Sequence, residues 1–380
     1  MGCAAAYHLA KLGTAVTLIE QFRIGHAMGS SHGPTRIIRL AYDGLDYVHL
    51  ARESFRQWSD LQLESGKQLI LKNGGLDLGS REAMYMDGIL RTFDAARVPY
   101  ELLGHSEIAH RYPQFRLPED VIGIYQADWS MLSADKCVAT LASQAVVHGA
   151  KIIEDEQVVK LQTSSTGVEV ITRSSKYSAN KVVVAAGSWS AGILAQIGIE
   201  LPLTILKEQV SFFEARDPAQ FQPVTLPLVI HHFPGTTSVG SVFPIHNHMG
   251  VKLMLDRVTP GVDPNDEDRT VDQARLDQLS TYAAKLLPGL TGRIIESVSC
   301  RYAMTPDENF ILDTAGENGN VVVASPCSSH GFKFGVVIGA ILAELVTNGA
   351  TRFPIQRFRL DRPGLKVGTW QNKGAIPVFI

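Results

Sequence analysis

The chain has 380 residues, enough for about two or three domains and an ample core. With 45% hydrophobic and 19% charged residues it has the composition of a globular enzyme, and a net charge of -3 excludes the strongly basic surface of a nucleic-acid binder. Four cysteines without a CxxC pair exclude a zinc ribbon or a disulfide framework, and no apolar run approaches the roughly 20 residues that span a bilayer. A reducing compartment, the cytoplasm, is expected. No secretory signal opens the chain, and its last residues, VFI, are not a peroxisomal address.

The first eleven residues, MGCAAAYHLAK, have helical spacing at Ala6, Leu9 and Ala10, and Gly13 follows as a C-cap glycine. Thr14 to Glu20, TAVTLIE, reads as a strand with a terminal acid. Helix, glycine, strand and Glu form the second half of a dinucleotide-binding βαβ unit. In it Gly2 is the last glycine of GxGxxG and Glu20 accepts the ribose hydroxyls. Many α/β proteins carry a strand ending in Glu, so the half-motif is weak alone. On this reading Met1 is an internal methionine, and a first strand is missing from the sequence, because losing a central strand would leave its neighbours unpaired.

A polar loop from Gln21 to Gly33 leads to Arg36 and Arg39. Arginine offers a planar fork for carboxylate or phosphate; a solvated pair is the alternative, but the flanking Ile and Leu favour partial burial. Asp46 to Leu63 is an amphipathic helix whose Leu50, Phe55, Trp58 and Leu61 face the core. Leu69 to Leu78 reads as a strand pair broken at Gly74 and Gly75. Helices follow over Arg81 to Ala96 and Ser106 to Tyr112, then a strand at Gly123. Ser133 caps a helix that runs to His148, with Leu141, Ala145 and Val146 inward. Lys151 to Leu161 and Gly167 to Thr172 are strands. Lys181 to Trp189, KVVVAAGSW, is an apolar run ending in a glycine turn, the mark of a buried parallel strand, and a helix starts at Ser190.

From Pro202 to Gly261 apolar and polar residues alternate between Pro and Gly, which indicates an antiparallel second domain. His231, His232, His246 and His248 fall there without metal-site spacing, so no metal is expected. A helix covers Thr270 to Leu287. Ser297 to Phe334 then combines Cys300, two strand-like runs and a Ser/Gly-rich turn that ends in a helix start bearing Lys333. Such turns gather free N–H groups and suit anionic cofactor groups. A buried inert thiol and a solvated lysine are the bland alternative. The final long helix ends over Gly339 to Asn348.

Three motifs, GSSHGPTRIIR from Gly29, CRYAMTPDENF from Cys300 and SHGFKF from Ser329, give the chain its resemblance to the monomeric sarcosine oxidase family, which includes N-methyltryptophan and pipecolate oxidases. The resemblance runs from Met1 to about Arg362. It implies an α/β, Rossmann-like FAD-binding domain (residues 1–72, 137–204 and 307–370) and an antiparallel-sheet substrate domain (73–136 and 205–306). It also implies FAD bound by a thioether to Cys300, and a substrate carboxylate clamped by Arg39 and Lys333. His32 and Arg36 should lie against the flavin, Lys252 should activate oxygen, and Gly187, Trp189, Ser329, His330 and Gly331 belong to the flavin-side turns. The family's substrate-site tyrosine is replaced by Ser241, and a histidine four residues after the lysine becomes Asp256. Both changes remodel the amine side.

The implied reaction is oxidative demethylation of a secondary amino acid: hydride passes to flavin, O2 becomes hydrogen peroxide, and the enzyme needs no partner beyond amino acid and O2, acting as a monomer. A cyclic imino-acid oxidase of pipecolate or proline is the alternative within this fold. A degenerate, non-catalytic binding protein is the second.

Overall fold

The computed structural model describes residues 1–80, 83–256 and 261–371. Helix α1 (Gly2–Lys11) opens the chain, and the chain leaves it through Gly13 at φ +78°, where an L side chain would be strained. Strand β1 (Thr17–Ile19) pairs in parallel with β8 (Lys151–Ile153). The expected strand from Lys151 to Leu161 breaks after Ile153. Asp155, at φ +57°, turns the chain and donates its N–H to the Phe22 carbonyl before β9 (Val158–Ser164) begins.

A three-stranded sheet holds β12 (Val182–Val184), β19 (Val321–Ser325) and β18 (Ile311–Ala315), with β12 parallel to β19. Val182 and Val183 are only half-buried because they line the large cavity described below, so this strand is parallel as expected but not fully enclosed. Among the described residues no strand joins β1 to β12. Strands β9, β10 (Gly167–Thr172) and β11 (Lys176–Ala179) make an antiparallel meander beside them.

The other large element is an eight-stranded sheet among the described residues. It contains β4 (Gly75–Ser80), β5 (Glu101–Leu103), β6 (Val121–Gln126), β13 (Thr204–Ala215), β14 (Leu228–His232), β15 (Val239–Phe243), β16 (Val251–Leu255) and β17 (Leu290–Met304). The alternating stretch after Pro202 is antiparallel throughout, and β14 adds a parallel pairing to β4. The expected strand pair over Leu69 to Leu78 does not pair with itself. Its first half, β3 (Ile70–Lys72), joins β7 (Ser130–Ser133) and β2 (Thr35–Ile38), and its second half, β4, enters the large sheet.

Helices α2 (Leu45–Ser65), α3 (Met84–Ala96), α4 (His105–Arg111), α5 (Ala134–Val147), α6 (Ser190–Ala195) and α7 (Gln273–Leu286) fall near their expected places. The expected start of α3 at Arg81 lies outside the described residues. Ser133 stands at the N-cap of α5 without capping it; its hydroxyl instead accepts a hydrogen bond from Asn247 Nδ2 at 3.2 Å. Val146 points outward at 53% exposure, while Leu141 and Ala145 are buried.

Helix α8 (Gly335–Asn348) is almost wholly apolar and packs against α1. Their approach depends on Gly339: a Cβ there would lie 2.6 Å from the backbone carbon and oxygen of Ala4. Gly339→Ala should therefore push the helices apart, at about 1–3 kcal/mol for overpacking. The expected outcome is a lower melting temperature in a thermal scan.

His231, buried under the large sheet beside Tyr282, is held neutral; burial pushes it from 6.5 to about 3. The unfolded chain takes up a proton below 6.5 and the native imidazole does not, so its contribution is lost as pH falls towards 3. Denaturant midpoints should drop on acidification through this range, with a shallower slope in His231→Leu.

Candidate active site

One cavity of about 2440 Å³ runs between the two main sheets. It exceeds the roughly 300–1,000 Å³ of a site for one small molecule, so it has room for a long cofactor and a substrate together. At one end stand Gly2 and Glu20. A Cβ on Gly2 would meet the Leu18 side chain at 3.1 Å, so α1 and β1 are in close contact. The Glu20 carboxylate follows β1 and accepts the Phe22 N–H at 3.0 Å, with His26 Nε2 at 3.7 Å. Gly187, at φ +56°, turns the chain after β12, and the neighbouring Trp189 donates its indole N–H to Asn265 at 2.9 Å.

The turn after β19 forms another wall. Ser328 and Ser329 both have positive φ, +40° and +68°, an uncommon backbone state for serine. The buried Ser328 is fixed by its N–H on the Ala303 carbonyl at 3.0 Å and by its hydroxyl against Thr305 at 3.1 Å. At Gly331 a Cβ would sit 1.6 Å from the Pro326 carbonyl oxygen, so only glycine fits. The Nε2 of His330 lies 3.2 Å from the Glu308 carbonyl.

Three basic residues and a thiol meet in the middle. Cys300, on β17, is 6% exposed and lines the cavity; burial pushes its thiol up to about 12 against the pull of Arg36 and Lys252. Lys252, on β16, donates from Nζ to the Thr35 carbonyl at 3.0 Å and lies 4.2 Å from the centre of the Phe243 ring. Burial, and then the charge of Arg36, hold this ammonium well below its usual range. Arg36 fans out to the carbonyls of Thr35, Ser30 and His32 at 2.8–2.9 Å. Burial and Arg36 lower His32 to about 4, and its buried Nδ1 has no partner among the described residues.

At the other wall Arg39 and Lys333 approach one another. Both are buried, at 9% and 6% exposure, and both line the cavity. Lys333 Nζ donates to Tyr42 Oη at 2.8 Å and to the His330 carbonyl at 2.7 Å. Burial and the repulsion of Arg39 push Lys333 well down. Its backbone carbonyl accepts the Trp58 indole N–H at 2.8 Å, which ties the turn to α2. Arg39 donates to the Ala41 carbonyl and to Asp77 Oδ1 at 3.2 Å, and its guanidinium lies 5.1 Å and 5.3 Å from the Tyr42 and Trp129 rings. Burial opposes this charge, but Asp77, Tyr85 and Tyr42 together hold the guanidinium above its ordinary value.

All thirteen expected site residues line this one cavity. So do Ser241 and Asp256, both buried. Asp77, His232, Tyr42 and Tyr85 were not foreseen. Asp77 is a lone acid in the apolar run Leu76 to Gly79, a detectable signal of a buried ion pair. Tyr42 had no signal beyond its closeness to the arginine motif.

The model of the family "FAD dependent oxidoreductase" matches residues 1–345. The chain belongs to that family. Monomeric sarcosine oxidase of Bacillus sp. (strain B-0618) is 32% identical over 373 residues, which cover 96% of this chain and 94% of the relative. N-methyl-L-tryptophan oxidase of Yersinia pestis is 28% identical over 371 residues, 95% and 96% of the two chains. Among solved structures, the open form of NikD, "an unusual amino acid oxidase", superimposes with a TM-score of 0.84 at 25% identity, covering 94% of each chain. FAD fits the residues present. The cavity is long enough, and the buried His32 Nδ1, without a partner among the described residues, can meet a polar cofactor edge.

Gly331→Ala should prevent the turn from closing. The purified variant is expected to lose most of its flavin, read as a several-fold fall in 450 nm absorbance per protein.

Proposed function

We propose that this member of the FAD-dependent family oxidises secondary amino acids, above all N-methyl amino acids such as sarcosine, with O2 as final acceptor. The observation that carries the reading is the buried pair Arg39 and Lys333 in the cavity that also holds Cys300 and Lys252. Bound FAD supplies the two-electron acceptor. Arg39 and Lys333 take the substrate carboxylate, whose charge makes up for what burial has removed from Lys333. The Tyr42 ring, which lines the cavity beside both cations, would shield that contact from water, with Trp129 packed behind Arg39. The amine loses two electrons and two protons; the imine hydrolyses, to glycine and formaldehyde for sarcosine, and O2 leaves as hydrogen peroxide.

Arg36 and Lys252 are the basic groups that act on Cys300, the residue to which a thioether would form, and Lys252 is the candidate for assisting oxygen reduction. Glu20 and Gly2 would meet the adenosine end, while Gly187, Trp189, Ser329, His330 and Gly331 border the cofactor. We assign FAD binding to residues 1–72, 137–204 and 307–370 and substrate binding to 73–136 and 205–306. A cytoplasmic monomer is the matching assembly. Its supports are four cysteines that are all free, the absence among the described residues of a helix long and apolar enough to cross a membrane, and the name of the Bacillus relative.

A peroxide assay over sarcosine, other N-methyl amino acids, pipecolate and proline tests the reading. Formaldehyde release should accompany turnover of the N-methyl substrates; peroxide from pipecolate or proline alone would move the assignment to cyclic imino acids. Yellow colour should stay with the polypeptide after acid precipitation and leave it in Cys300→Ser, whereas a well-folded colourless protein would indicate a binding protein. Lys333→Met should raise KM for carboxylate substrates roughly ten- to hundredfold, the worth of one charged hydrogen bond.

A further inference from the structure

Asp77 lies on β4 at 1% exposure. Its Oδ1 bridges Arg39 Nη1 at 3.2 Å and His232 Nε2 at 2.8 Å, and its buried Oδ2 has no partner among the described residues. His232 is itself buried on β14, lines the cavity and stacks on the Tyr85 ring at 4.9 Å between centroids. The carboxylate is therefore locked against the arginine of the clamp rather than left to swing into solvent. Arg39 and Asp77 cancel in charge, so the clamp offers a net charge of one, that of Lys333. The half-buried Arg36 and the buried Lys252, which also line the cavity, are grouped at Cys300.

We propose that Asp77 is a specificity-determining residue: it limits the site to amino acids with one carboxylate and repels those with two. This rests on the oxidase reading above. One substrate carboxylate balances Lys333 and shares Arg39. A second carboxylate brought into this end would find Arg39 already neutralised by Asp77, which stands behind it outside the cavity lining, and no further cation to balance it in a buried, weakly screening setting.

The test compares kcat/KM of the holoenzyme for sarcosine with that for iminodiacetate and N-methylaspartate, secondary amines with a second carboxylate. Wild type should favour sarcosine. Asp77→Asn should move the ratio about tenfold or more towards the dicarboxylates, and Asp77→Glu, which keeps the charge, should retain the preference. A general packing defect would lower all substrates together. An unchanged ratio in flavin-loaded Asp77→Asn overturns the proposal, as does an equal shift in both variants.

If Asp77→Asn does not fold, flavin absorbance titrations of wild type with acetate and with malonate decide the same question. Acetate should bind at least about tenfold more tightly, and equal binding overturns the proposal. Wild type that oxidises no amino acid but still prefers acetate would refute the oxidase reading and leave the charge filter standing.

Discussion

Positive charge kept out of water is the constraint around which this protein is built. Arg36, Arg39, Lys252 and Lys333 border one cavity, and the last three are nearly fully buried. An isolated buried cation is costly, so each is met by polar atoms that cannot move away. Backbone carbonyls serve for Lys252, for Arg36 and in part for Lys333; a carboxylate serves for Arg39. The neutralisation is incomplete: both lysines remain destabilised as ammonium ions. A bound anion relieves that imbalance, which is how a site can favour an anionic ligand without a gross excess of charge.

The supports come from different sheets. Thr35, which receives the Lys252 ammonium, belongs to the small β2–β7–β3 sheet, whereas Lys252 lies inside the large one. Arg39 follows β2, and its partner Asp77 stands on β4. Lys333 enters from the turn between β19 and α8. No single element makes the site, and the cavity exists only when all three sheets are in register.

Much of this was legible from the residues. The C-cap of α1, the parallel apolar strand at Val182 and the alternating segment after Pro202 follow from spacing and turn chemistry, while the cavity-facing positions of Cys300, Lys252, Arg39 and Lys333 are what the family resemblance implies. Pairing partners were less legible. Leu69 to Leu78 looks like a hairpin because Gly74 and Gly75 mark a turn, yet a Cβ on Gly75 would lie 2.1 Å from the Trp129 ring, so that glycine makes room for an indole. Ser133 has a capping side chain whose hydroxyl is engaged by Asn247, 114 residues away. Asp77 and His232 are 155 residues apart, and no local periodicity links them.

Cys300 sits on the fifteen-residue strand β17, paired to β13 along most of its length, while Glu20 ends the short β1. A cofactor that reached from one to the other, as proposed above, would fasten the layers around β1 and β12 to the large sheet. The two sides already share one hydrophobic cluster, in which Leu228, Ile230 and Phe243 of the large sheet join Val322 and Ile338, so loss of such a cofactor would weaken the whole rather than split its melting in two. The prosthetic group would then also be a structural rivet, and its release would lower the temperature at which the compact state melts.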